Sequence, residues 1–147
     1  TVKTRIRMGM LKLREHLDAY CLAFNERSLD GALALFSQHA LFEMPLLGQR
    51  LYGKGEIAAG LQRIVDVTAG AEIRVIDAQE NDRVIIAEGS MTAKLHRDDE
   101  AVRIPLAITL AVENCLISRL SIYLDARPYR LWADGPIFAT SPQLTSD

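Results

Sequence analysis

At 147 residues, 49% hydrophobic and 24% charged, the chain has the size and composition of one globular domain with a sizeable core. A formal net charge of −2, with no dense Lys/Arg run, argues against nucleic acid or an anionic membrane as the main partner. No apolar run approaches the roughly 20 residues that cross a bilayer, and the N-terminus lacks a signal peptide's hydrophobic centre, so the cytoplasm is the expected compartment.

The expected organisation is a single domain over residues 1–132 and an irregular tail over 133–147, where Gly135, Pro136 and Pro142 break regular structure. Lys3, Arg5 and Arg7 read as a solvated basic start. Leu13, Leu17, Tyr20, Cys21 and Phe24 then recur at helical spacing and define one apolar stripe. After Asn25-Glu26-Arg27, Ser28 is placed to cap a second short helix with Leu29, Leu33 and Phe36 on its buried face. Ala40 to Met44 reads as the first strand, ended by Pro45, which lacks a ladder donor.

Leu46 to Tyr52 reads as a loop and short return strand, punctuated by Gly53 and Gly55. A third helix follows, with Glu56 in its first turn and Ile57, Leu61, Ile64 and Val65 on one face, stopping at Thr68–Gly70. From Glu72 the period changes to two, with turn signals at Glu80-Asn81-Asp82, Arg97-Asp98-Asp99 and Glu113-Asn114. Four strands are implied, at about 72–79, 83–96, 101–113 and 115–125. Ile85, Ala87, Gly89, Met91, Ala93 and Leu95 share one face of the second of these. Val102, Ile104, Leu106, Ile108 and Leu110 share a face of the next, and Leu116, Leu120, Ile122 and Leu124 a face of the last. The fold class is therefore α+β: a cone-shaped α+β barrel of three N-terminal helices packed in a curved, mostly antiparallel sheet that encloses a hydrocarbon-lined cavity. Pro105 is tolerated only if its strand bulges or lies near an edge.

Two stretches, Ala-Tyr-Cys-Leu-Ala-Phe-Asn-Glu-Arg-Ser-Leu-Asp-Gly at 19–31 and Ala-Leu-Phe at 40–42, resemble the nuclear-transport-factor-2-like superfamily. The likeness is to its SnoaL-like polyketide cyclases, ketosteroid isomerases and limonene epoxide hydrolases, and it extends over about Leu11 to Arg130. It implies that the isomerases' oxyanion-hole tyrosine falls on Tyr20, their catalytic aspartate base on Met44, and their second oxyanion donor near Ala107 or Ile108. The residues that hold and activate water in the epoxide hydrolases fall on Gly89, Met91 and Ile122. None of those side chains moves a proton.

Candidate catalytic groups are then Tyr20, whose phenol can donate to a bound carbonyl, His16 one turn earlier, and Asp125 at the end of the last strand, where many SnoaL-like proteins carry an aspartate. Each has a structural alternative: a core tyrosine bonded to a backbone carbonyl, a half-exposed helix histidine, and an ion pair with Arg127. The expected ligand-binding wall is Phe42, Met44, Met91, Leu106, Ile122 and Leu124, with Glu43 alternating out of the cavity. Cys21, Cys115, His16, His39 and His96 make no disulfide or metal spacing, and no cofactor is implied. Two functions fit. One is a binder of a small apolar molecule of terpenoid, steroid or polyketide type, acting as an isomerase, cyclase or lyase without the usual base or not catalytic at all. The other is a non-catalytic dimerisation module with a packed interior. A homodimer is expected through the outer sheet face, where Ala107, Thr109, Ala111, Ser121 and Tyr123 leave little charge.

Overall fold

The computed structural model describes residues 13–95 and 101–125. Among the described residues there are three α-helices, α1 (Leu13–Asn25), α2 (Leu29–Leu33) and α3 (Gly53–Val67). The described residues also form six strands: β1 (Phe36–Met44), β2 (Gln49–Tyr52), β3 (Thr68–Glu80), β4 (Val84–Leu95), β5 (Ala101–Glu113) and β6 (Leu116–Leu124). The sheet order is β2-β1-β6-β5-β4-β3. Only the β1–β6 pair is parallel; every other pairing is antiparallel. The basic start, the turn at 97–99 with His96, Arg127 and the proposed tail lie outside the described residues.

The apolar stripe of α1 is buried as its spacing requires, at Leu13, Leu17, Tyr20, Cys21 and Phe24. The helix ends in a Schellman turn: the Arg27 N–H donates to the Phe24 carbonyl (3.0 Å) and the Ser28 N–H to the Ala23 carbonyl (2.8 Å). Arg27 takes the left-handed conformation this turn needs, at φ 59°. Ser28 caps α2, its Oγ accepting from the Gly31 N–H at 3.1 Å. Asn25 then ties α1 to β3, donating from its amide to the Ile73 carbonyl (2.9 Å) and accepting from the Ile73 N–H (2.7 Å). Because β3 is an edge strand, this one side chain satisfies backbone groups that a missing strand would otherwise have paired.

Phe36 corrects the expected second helix. That helix stops at Leu33, and Phe36 opens β1 fully buried, because the Ile117 N–H of β6 donates to the Leu35 carbonyl at 2.8 Å and draws the chain into the sheet. β1 ends at Met44 and Pro45 starts a short 3-10 turn, as a residue without a ladder donor should. Helix α3 buries Ile57, Leu61 and Ile64. Residues 68–70, expected only to stop the helix, are already the start of β3.

Two turns follow their sequence signals. Asn81 Oδ1 accepts from the Arg83 and Val84 N–H groups at 2.8 and 3.0 Å, and Asn114 and Cys115 both have positive φ (53° and 65°), the conformation that a two-residue hairpin favours. Leu116 is a second correction. It is 36% exposed while Ile117 is buried, because a register shift moves the β5–β6 pairing from Ala111↔Arg119 to Val112↔Ile117 and reverses the facing. Pro105 is a third correction: β5 lies inside the sheet, between β6 and β4, and Pro105 pairs with Ser90 of β4, one residue past Leu106↔Leu124, the last described β5–β6 pair.

The sheet is open, with β2 and β3 as its edges. Helix α1 packs on β3, β4 and β5, while α3 touches β1 and both edges, β2 and β3. One helix thus spans the gap that hydrogen bonds leave. Between helices and sheet lies a single core in which the Tyr20 ring sits 5.9 Å from Phe36, 6.2 Å from Phe24 and 6.5 Å from Phe42.

Candidate functional site

Alternation in β1, β4, β5 and β6 sends one set of side chains toward α1 and α3, and these surround an interior void. Ten of the described residues line it: Tyr20, Phe24, Phe42, Met44, Ile64, Ile73, Met91, Leu106, Ile122 and Leu124. All six expected wall residues are brought together there, with Tyr20. The Tyr20 hydroxyl is the only side-chain oxygen or nitrogen that these residues contain. The void is small, about 10 Å³, which is room for about one water.

His16 and Asp125 are not among the lining residues; both are half-buried, one on α1 and the other just past β6. Met44, Met91 and Ile122, at the positions matched to base and water-activating groups, all face the void and are 2–3% exposed. Of the two positions matched to the second oxyanion donor, Ile108 is buried within and Ala107 lies on the other sheet face, only half-buried. Gly89 has no room for a side chain: a Cβ there would meet the Arg74 carbonyl oxygen of β3 at 2.1 Å. Burial, with the Asp18 charge adding, pushes the Cys21 thiol up to about 12, so it packs as an unreactive apolar group. Among the described residues no three His, Cys, Asp or Glu side chains are grouped to hold a metal ion.

The residue whose environment sequence reasoning missed is Glu43. It does alternate away from the void, but it is only 6% exposed on the outer sheet face. Arg119 Nη2 donates to Oε1 at 2.7 Å, Ser121 Oγ to Oε1 at 2.9 Å and Arg50 Nε to Oε2 at 3.3 Å. Burial works to raise the carboxyl's pKa, but the hydrogen bonds from Arg119, Ser121 and Arg50 and the Arg119 charge outweigh it and hold the group below its ordinary 4.5. Beside it, an open depression of about 430 Å³ is lined by Glu43, Pro45, Gly48, Gln49, Arg50 and Tyr123. The Pro-Leu-Leu-Gly turn was the available signal, since it allows the hairpin that sets Glu43 opposite Arg50.

A group with a depressed folded-state pKa contributes stability that is present above its unfolded value and lost as pH falls through the folded one. The melting temperature of the protein should therefore fall more steeply on acidification below about 4.5 than that of Glu43→Gln. Parallel melting curves for the two proteins through this range would contradict the assignment.

Among the described residues no helix is long and apolar enough to cross a membrane. The family model of the SnoaL-like domain matches residues 17–120. A protein with a ketosteroid isomerase-like fold from Catenulispora acidiphila, solved with trimethylamine, superposes with a TM-score of 0.75 at 14% identity, over 88% of this chain and 100% of the other. A candidate polyketide cyclase from Xanthomonas campestris gives 0.73 at 20% identity, over 82% and 95%. An epoxide hydrolase from M. tuberculosis, of the LEH-like type, gives 0.64 at 17%, over 76% and 80%. No protein of curated function matches by sequence. At these identities the superpositions speak to fold alone.

Proposed function

This chain belongs to the SnoaL-like domain family, and from that premise we propose that it binds a small apolar molecule of terpenoid, steroid or polyketide type between its helices and its cone-like sheet. The observation that carries this reading is the lining of the void, which is hydrocarbon, thioether and aromatic ring around one phenol. That is the composition of a site which takes apolar surface and orients it by one hydrogen bond. The complex of the Catenulispora protein with trimethylamine supports a ligand-binding role for the fold.

Entry requires the interior to open, since small-molecule sites usually hold about 300 Å³ or more. Met44 and Met91 are the side chains suited to it, being unbranched and able to change rotamer at little cost. Tyr20 fixes one oxygen of the guest, and the site works without the family's base, so binding outweighs turnover. Replacing Tyr20 with Phe keeps the ring and removes the hydroxyl. Affinity for an apolar ketone, measured by calorimetry, should fall by about 0.5–1.5 kcal/mol, roughly two- to thirteenfold. Unchanged affinity with lowered folding stability would assign Tyr20 a structural role instead.

One observation favours a second reading. A void of about 10 Å³ is also what a packed interior leaves, as in a non-catalytic association module. In either reading we place a homodimer on the outer face, where Ala107, Thr109, Ala111 and Tyr123 are half-buried and Ser121 is buried. Sedimentation equilibrium showing a monomer at micromolar concentration would contradict the dimer.

A further inference from the structure

The depression beside Glu43 is separate from the interior void and shares no lining residue with it. Two guanidinium groups, Arg50 and Arg119, converge on the single carboxylate of Glu43, and of the two Arg50 is the one that lines the depression. Among the described residues no second carboxylate lines the depression; Asp125, two residues beyond Tyr123, is not part of its wall. Arg50 spends its Nε on Glu43, and its side chain is 61% exposed, which leaves the two terminal nitrogens of its planar fork toward solvent. Gln49 adds a donor under constraint: its Nε2 is buried and has no hydrogen-bond partner, a condition that costs about as much as a lost hydrogen bond. The Tyr123 and Pro45 rings supply apolar wall beside these donors. β2 is the sheet edge, so Gln49 and Arg50 lie beyond the outer-face patch on which the dimer is placed, and Tyr123 stands where that patch meets the depression.

We propose that this depression is a binding site for a small organic monocarboxylate, its carboxylate held by Arg50 and Gln49 and its apolar part laid against Tyr123 and Pro45. The exposed guanidinium of Arg50 attracts an anion, and a carboxylate matches its bidentate geometry. A neutral amide of the same shape brings no charge and gains little.

The test is a titration of ¹⁵N-labelled protein with benzoate in low-salt buffer, following the Arg50 Nε–H and the Gln49 side-chain amide, with benzamide as the neutral control. Benzoate should shift both signals saturably, and benzamide should bind at least tenfold more weakly. Arg50→Gln should weaken benzoate at least tenfold. Gln49→Ala leaves both ion pairs to Glu43 in place and should weaken it at least threefold. Tyr20→Phe should leave it unchanged, which separates this site from the interior one. No saturable shift, equal affinity for benzamide, or unaltered affinity in both Arg50→Gln and Gln49→Ala would overturn the proposal.

Discussion

Gly89→Ala is expected to destabilise the protein by about 3 kcal/mol or more, which lowers Tm by roughly 10 °C for a domain of this size. The added Cβ would sit 2.1 Å from the Arg74 carbonyl oxygen, 3.1 Å from its carbon and 3.1 Å from the Val75 Cα. All three are backbone atoms of β3, and β3 is fixed at this point by its pairing of Val75 with Gly89. A flexible side-chain tip could swing aside; a paired backbone cannot without breaking its ladder. Native stability is only about 5–15 kcal/mol, so the loss is a large share of the whole. Gly55→Ala is the control, because nothing lies within 4 Å of its added Cβ. Placed in α3, that change should leave Tm unchanged or raise it, since Ala is the better helix former by about 1 kcal/mol. Calorimetric melting of both variants checks the pair, and a Gly89→Ala protein melting within 2 °C of the parent would contradict the close approach.

Ordinary ketosteroid isomerase and epoxide hydrolase turnover is expected to be absent or very weak. Met44, Met91 and Ile122 stand at the positions that the family resemblance matches to the base and water-activating groups, and they face the void. A thioether and a hydrocarbon side chain cannot accept the proton. General-base assistance contributes on the order of 10²–10⁴-fold, and its loss leaves only what binding and one oxyanion donor supply. Half-buried His16 and Asp125 lie outside the lining. Assays with a Δ5-ketosteroid and with limonene oxide decide the matter; robust conversion of either would show a proton-moving group that the ten lining residues do not provide.

Much of this arrangement was legible in the sequence, and the reasons are local. Strict alternation in β4 and β5 fixes which side chains face the helices, and the structure buries Ile85, Ala87, Met91, Ile104, Leu106, Ile108 and Leu110 accordingly. The spacing of Leu13, Leu17, Tyr20 and Phe24 likewise fixes the buried side of α1. What escaped the sequence depends on partners far along the chain. Phe36 leaves its expected helix because Leu35 bonds to Ile117, and Leu116 faces out because of a one-residue irregularity in the β5–β6 ladder. Glu43 reads as an ordinary outward residue until Arg119, 76 positions away, closes over it. Gly89 reads as one more member of the inner face, yet its reason is the backbone of β3 opposite.

The central claim is that an apolar guest opens the interior, and the methionine methyl groups report on it most directly. The sequence has four methionines, and two of them, Met44 and Met91, line the void. Protein labelled with ¹³C at the methionine methyls should be titrated with carvone, a monocyclic terpene ketone, and followed by NMR. The account predicts saturable shifts of the Met44 and Met91 methyls. Met44 and Met91 signals that stay fixed up to the solubility limit of carvone would contradict it and leave the packed association module as the better reading.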